Sequence, residues 1–225
     1  MKEKFLLCNS KINVNKIENV IFDFDGVIAD TDSGRFNLLQ DLLKEYNLSI
    51  EDKFKPNDLS GLTTRAFLKK AYPILTDNNI DLIIEKRHSI FLSDLNKYCK
   101  PFDGVVEFIK LLYSLNKKLY LASTNDFAII DILLNHLEIK LYFPDVFGRE
   151  TTELPDGKKT YKKLIEYLNL DSEKSMVIED SENGIKAAKH SKLFCIAFNP
   201  DGNEIIKNLA DSDFVNYKTF STLFI

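Results

Sequence analysis

Cysteine is scarce in this sequence, and its three cysteines, Cys8, Cys99 and Cys195, lie far apart. There is no CxxC pair, which argues against a cysteine-based zinc site and against the disulfide framework of a small secreted domain. We therefore expect reduced thiols and a cytoplasmic protein.

Long apolar runs and blocks of positive charge are missing as well. The first ten residues contain only four apolar residues in a row, 5–8, too few for a signal-peptide core. No stretch approaches the roughly 20 apolar residues of a membrane span. The net charge is −4 and the lysines are mixed with acids, so no nucleic-acid-binding tail is indicated. We expect a soluble chain that binds neither membranes nor nucleic acid.

The sequence does contain an alternation of strand and helix patterns. Residues 20–24 are mostly β-branched or aromatic and end at the turn Asp25-Gly26, as in a buried strand. Later strands are predicted at 118–122, 145–147, 175–178, 193–198 and 214–215. Helices are predicted at 105–115, 127–137, 161–168, 185–190 and 205–209. Alternation of this kind predicts an α/β fold with a Rossmann-like parallel sheet.

Residues 36–100 have a different pattern. Apolar residues recur at helical spacing in 36–46, 63–72 and 80–95, and no convincing strand lies among them. We therefore predict an all-α domain of residues 36–100, inserted into an α/β core made of residues 1–35 and 101–225.

Polar residues of similar chemistry follow three of the predicted strands. Asp23 and Asp25 end the first strand, Ser123 ends the second, and Glu179-Asp180 ends the strand that begins at 175. Because ligand sites in parallel sheets form beyond the carboxyl ends of the strands, we expect these groups to converge. Buried carboxylates need a counter-charge, and Mg²⁺ prefers carboxylate, phosphate and water oxygens. Simpler interpretations are an ordinary turn for Asp23–Gly26 and a helix N-cap for Ser123.

Four segments together resemble the haloacid dehalogenase-like hydrolase superfamily, within its group of capped phosphatases and β-phosphoglucomutases. The run from Asp23 to Thr31, Asp-Phe-Asp-Gly-Val-Ile-Ala-Asp-Thr, is similar to the first motif of that family, and Ser123 to the second. Lys158 and Lys159 stand before a helix, as in the third motif. Residues 176–185, with Glu179-Asp180, look like the fourth. The helical insert stands where this family has an α-helical cap.

The resemblance implies a role for each matching residue. Asp23 would attack phosphorus and form an aspartyl-phosphate, and Asp25 would act as the general acid and base. Asp23, the backbone of Asp25, Asp180 and, directly or through water, Glu179 would hold Mg²⁺. The phosphate would be bound by the remaining residues of the second and third motifs, namely Ser123, Thr124 and either Lys158 or Lys159, with a slight preference for Lys158.

The resemblance also implies a small phosphorylated metabolite as substrate and a monomeric enzyme. Arg65, which is the preferred candidate, and Arg35, which directly precedes the insert, are candidate substrate contacts, although each could be an ordinary surface charge. Dehalogenation is disfavoured because such members lack the second aspartate, present here as Asp25. A sugar phosphomutase is an alternative, weakened by Arg35 at the place where close relatives carry histidine. A non-catalytic binding module is a further alternative.

Overall fold

Six parallel strands form the main sheet of the molecule. The computed structural model describes residues 14–50, 64–154 and 159–225, and its main sheet has the strand order β5-β4-β1-β6-β7-β8. These strands are β1 (Asn19–Phe22), β4 (Lys118–Ala122), β5 (Asp145–Phe147), β6 (Ser175–Glu179), β7 (Phe194–Phe198) and β8 (Ser212–Phe214). The predicted α/β fold with a parallel sheet is confirmed.

The first strand lies near the middle of this sheet. β1 pairs with β4 on one side and with β6 on the other, so that Phe22 is opposite both Leu121 and Ile178. Every residue of β1 is buried, because sheet neighbours flank the strand and helices cover its faces. The segment that follows β1 therefore emerges between the ends of two other strands.

Helices connect the strands of the α/β unit. They are α5 (Val105–Ser114), α6 (Phe127–His136), α7 (Arg149–Thr152), α8 (Lys162–Leu168), α9 (Glu182–His190), α10 (Glu204–Leu209) and α11 (Tyr217–Ser221). Short 3₁₀ turns occur at Val14–Lys16, Lys140–Tyr142, Ser172–Lys174 and Thr222–Phe224. Tyr161, Leu164, Val177 and Ile185 belong to one buried core cluster, which joins α8 and α9 to the sheet by apolar contact.

The chain separates into two compact units, Met1–Ala29 with Pro101–Ile225, and Asp30–Lys100. The second unit contains α1 (Thr31–Lys44), α2 (Thr64–Ala71), α3 (Asp77–Ser93) and α4 (Leu95–Tyr98). Its core cluster includes Leu39, Leu43, Leu68 and Ile80. A two-stranded sheet of β2 (Ala29–Asp30) and β3 (Lys100–Pro101) forms where the chain passes between the units.

Several element bounds differ from the sequence prediction for local reasons. α1 begins at Thr31 rather than 36, because the side chain of Asp30 accepts a hydrogen bond from Ser33 N and caps the helix. α9 begins at Glu182 rather than 185, because Ser181 caps it in the same way. In the part of the chain that the structure describes, no helix is long and apolar enough to cross a bilayer.

Candidate active site

Asp23 is the first residue after β1 and continues the pairing of that strand. Its backbone N–H donates to the carbonyl of Ile178 at 3.1 Å, which aligns Asp23 with the end of β6. The residue is buried, with 8% of its surface exposed. The carboxylate of Asp23 is therefore brought next to Glu179 and Asp180 by strand register, as the sequence predicted.

A tight turn follows, and it depends on Gly26. Gly26 has φ +73°, in the left-handed region that glycine adopts without strain. Its N–H donates to Ala29 O at 3.0 Å, and Ile28 N donates to Phe24 O at 2.8 Å. A Cβ atom on Gly26 would lie 2.0 Å from Asp180 Oδ2. The missing side chain is thus what allows Asp180 to approach the turn.

Glu179 ends β6 and is fully buried. Ser181 Oγ donates to Glu179 Oε2 at 3.2 Å and accepts from Gly184 N at 3.1 Å, so that it also caps α9. A Cβ atom on Gly184 would lie 2.0 Å from Glu179 Cδ. The start of α9 therefore packs directly against this buried carboxylate, and only glycine fits at position 184.

Lys159 lies in the site, in contact with two of its carboxylates. Its Nζ lies 2.8 Å from Asp23 Oδ1 and 2.7 Å from Glu179 Oε1. An antiparallel bridge between Glu153 and Lys159 holds the backbone at this position. Lys158, which the sequence slightly favoured, lies outside the described residues.

Tyr161 was predicted only as part of a helix, yet its hydroxyl belongs to the site. The phenol is fully buried and donates to Glu179 Oε1 at 2.5 Å. Lys159 Nζ lies 5.3 Å from the centroid of the Tyr161 ring, within cation–π range. Hydrophobic periodicity explains the burial of this ring, but it carries no information about the partner of the hydroxyl.

Three carboxylates form a group that could hold a metal ion. One oxygen each from Asp23, Glu179 and Asp180 can be chosen so that all lie within 4.8 Å of one another. All the donors are hard oxygens, which fits Mg²⁺ rather than a thiolate- or imidazole-bound metal. The Asp25 side chain is not among the three; its Oδ2 accepts from Asn125 Nδ2 at 2.5 Å.

Burial and charge shift the pKa values of the central pair. Burial raises the pKa of Asp23 to about 8, although Lys159 lowers it, and Glu179 raises it further. Burial alone would lower the pKa of Lys159, but the carboxylates of Asp23 and Glu179 outweigh this and raise it above its ordinary value. Lys159 is therefore charged, and the surrounding carboxylates favour a further cation.

Ser123 follows β4 and is fully buried. Its N–H donates to Phe147 O at 3.0 Å, and its Oγ accepts from Asn125 N at 3.1 Å. Asp126 occupies the N-cap position of α6, so the simpler interpretation of Ser123 as the cap of that helix is wrong. The next residue, Thr124, is exposed, and its carbonyl accepts from Arg149 Nε at 2.9 Å.

The two arginines singled out from the sequence both lie in the helical unit. Arg65 forms ion pairs with Asp81 and, at 3.5 Å, with Asp77 on α3. Arg35 lies over the ring of Phe91, with Cζ 5.0 Å from the centroid. Arg65 therefore has the exposed ion pairs of an ordinary surface charge, whereas Arg35 is half-buried against an aromatic face.

Most of the chain is similar to proteins of one known family. The family model described as "Haloacid dehalogenase-like hydrolase" matches residues 20–198. A phosphorylated carbohydrates phosphatase of Thermotoga maritima is 27% identical over 183 residues, covering 79% of this chain and 82% of that protein. A phosphoglycolate phosphatase of Aquifex aeolicus is 25% identical over 176 residues, covering 76% and 80%. In fold, the solved β-phosphoglucomutase of Clostridium difficile has a TM-score of 0.69 at 22% identity, covering 90% of this chain and 92% of that one.

Proposed function

Since this chain belongs to the haloacid dehalogenase-like hydrolase family, as its four motifs predicted, we propose that it is a magnesium-dependent phosphatase of small phosphorylated metabolites. The observation that supports this most directly is the contact of 2.8 Å between Lys159 Nζ and Asp23 Oδ1, within a group of three carboxylates. A nucleophile, a fixed cation and a set of metal ligands are the parts that phosphoryl transfer needs.

In the first half of the reaction, a carboxylate oxygen of Asp23 attacks phosphorus. The bond from phosphorus to the ester oxygen breaks, and Asp25 gives its proton to the departing oxygen, leaving Asp23 phosphorylated. In the second half, Asp25 takes a proton from water, whose oxygen attacks phosphorus and releases inorganic phosphate. Asp23 is then regenerated as a carboxylate and Asp25 as an acid.

Asp23, Asp180 and Glu179, with the backbone carbonyl of Asp25, would hold the ion. When bound, Mg²⁺ offsets the negative charge of the carboxylates and the phosphoryl oxygens and favours the ionised form of Asp23. Lys159, Ser123 and the N–H of Thr124 would stabilise the remaining phosphoryl charge. Lys159 is fixed for this task before substrate arrives, because two carboxylates hold its Nζ.

Substrate choice is assigned to the helical unit, with Arg35 preferred over Arg65. Arg65 is engaged in exposed ion pairs with Asp77 and Asp81, and Arg35 lies close to a second arginine, Arg87. Burial, followed by the charge of Arg35, lowers the pKa of Arg87 to about 10, while Asp32 raises it. Two neighbouring guanidinium groups would favour an anionic ligand.

A cytoplasmic location is also proposed. Of the cysteines in the described residues, Cys99 and Cys195 are free and buried.

The proposal is tested by phosphate release from p-nitrophenyl phosphate and from a panel of phosphorylated metabolites. Release should require Mg²⁺, stop with EDTA and be lost in Asp23→Asn, while Asp201→Asn on an exposed turn should keep full activity. Borohydride reduction during turnover, followed by mass spectrometry, should locate the modification at residue 23. Conversion of β-glucose 1-phosphate to glucose 6-phosphate without net release would instead indicate a mutase. Binding of metabolites without turnover would indicate a binding module.

A further inference from the structure

Asn125 contacts the side chain of Asp25, although the two residues are far apart in sequence. Asn125 follows β4 by three residues, and Asp25 follows β1 by three residues; the two strands are neighbours in the sheet. Asn125 Nδ2 donates to Asp25 Oδ2 at 2.5 Å. Both residues are half-buried, so neither side chain has the rotational freedom of a fully exposed group.

The backbone of Asn125 is held on both sides. Its N–H donates to Ser123 Oγ at 3.1 Å, and its carbonyl accepts from Arg149 N at 2.8 Å. Arg149 also donates through Nε to the carbonyl of Thr124 at 2.9 Å. The loop of residues 123–125 is thus held by a hydrogen bond within it and by two hydrogen bonds to the first residue of α7. An amide carried by such a loop presents its N–H in a fixed direction, which is what a group that orients another side chain requires.

We infer that Asn125 is a positioning residue for proton transfer by Asp25, an inference that depends on the phosphatase function proposed above. By donating to Oδ2, the amide fixes the rotation of the Asp25 carboxyl group and so sets the direction in which that group gives up its proton. That proton passes to the ester oxygen as its bond to phosphorus breaks. After the transfer, the same N–H continues to donate to the carboxylate, which accepts hydrogen bonds through both oxygens.

This role has a consequence that a general loss of structure does not share. A correctly oriented acid matters most when the departing oxygen is strongly basic, as in an alkyl alcohol. It matters little for p-nitrophenolate, which departs without a proton. The effect of losing the Asn125 amide on the rate should therefore depend on the leaving group. The ratio kcat/KM should show this effect, because it includes only the steps up to phosphorylation of Asp23.

The experiment compares kcat/KM for p-nitrophenyl phosphate and for glycerol phosphate, an alkyl ester, in the wild type and in Asn125→Ala. We expect a loss of about 10- to 100-fold for the alkyl ester and less than about threefold for the aryl ester. Asn125→Asp, which keeps the size but removes the donor, should show the same selectivity and serves if the alanine variant folds poorly. In an Asp25→Asn background, Asn125→Ala should cause little further loss of kcat/KM, because both substitutions disable the same proton transfer.

Asn135→Ala is the matched control, since Asn135 Nδ2 donates at 3.2 Å to the carboxylate of Asp131 on the exposed face of α6. It should leave both rates unchanged. Equal losses for the two esters in Asn125→Ala and Asn125→Asp would overturn the positioning role and leave the phosphatase function standing. Absence of phosphate release from any ester by the wild-type protein would overturn the phosphatase function, and the positioning role with it.

Discussion

The hydroxyl of Tyr161 donates to Glu179 Oε1, the same oxygen that lies 2.7 Å from Lys159 Nζ. One carboxylate oxygen thus contacts both a phenol and an ammonium group, and the same ammonium group also contacts the carboxylate of Asp23. The position of the lysine at the nucleophile therefore depends on two buried side chains that would not touch substrate themselves.

Tyr161→Phe should lower stability without loss of the fold. The ring stays, but buried Glu179 loses one donor, which should reduce the free energy of unfolding by about 1–3 kcal/mol. Urea denaturation at pH 7 measures this change. Tyr167→Phe, in the helix α8 that follows Tyr161, is the control, because that side chain is 75% exposed; its effect should stay within about 0.5 kcal/mol. Equal effects of the two changes would contradict the proposed importance of the bond to Glu179.

Lys159→Met should abolish most phosphatase activity. It removes the fixed cation beside Asp23 and leaves two buried carboxylates without it, so we expect a loss of at least about 100-fold in kcat. Lys162→Met is the control within α8, where the lysine is 78% exposed. Lys158→Met separates the two lysines proposed from the sequence and should change kcat by less than about threefold. The reverse order of effects would assign the phosphate contact to Lys158.

Gly26→Ala should impair metal binding more than an ordinary glycine substitution does. Gly202 is a matched control, because its φ of +67° is similar but a Cβ atom there would meet nothing within 4 Å. Both variants should lose about 1 kcal/mol of stability from backbone strain. Only Gly26→Ala should also weaken Mg²⁺ affinity, by displacing Asp180, and calorimetric titration with Mg²⁺ should detect this. Equal affinities in the two variants would argue against Asp180 as a ligand.

Without metal, the stability of the wild type should fall relative to Asp23→Asn as the pH rises from 5 to 8. The folded protein keeps a proton on Asp23 up to about pH 8, whereas the unfolded chain releases it near the ordinary value of 3.8. The stabilisation from this proton is complete below that lower value and is lost as the pH approaches 8. Urea denaturation in EDTA measures the free energy of unfolding of the wild type minus that of Asp23→Asn. This difference should decrease by at most about 1.4 kcal/mol per pH unit as the pH rises. A difference independent of pH would show that Asp23 ionises normally in the folded protein.

The sequence predicted the sheet elements well because strand patterns are local. β4 and β5 have the predicted bounds, at Lys118–Ala122 and Asp145–Phe147. Helices α4, α7 and α11 were missed, since four or five residues are too few to show a 3.6-residue period. Strand order was not predicted either, because it depends on pairing between distant segments.

Within the site, the residues at strand ends could be predicted, but those that support them could not. Asp23 and Glu179 are marked by the apolar runs that precede them, whereas Asn125 and Tyr161 look like ordinary loop and helix residues. The position of Lys159 beside Asp23 depends on a one-residue register, which is set by the bridge from Lys159 to Glu153. Registers of this kind come from tertiary contacts, and no local pattern encodes them.

The position of β1 between β4 and β6 also determines when the site can form during synthesis. Asn19 pairs with Lys118 on one side and with Ser175 on the other. Asp23 is made well before the strand that carries Glu179, because β4 and β5 lie between them in the sequence. A nascent chain that ends before Ser175 can close one flank of β1 and leaves the other without its partner. Catalytic competence should therefore appear in a single late step, when the centre of the sheet closes.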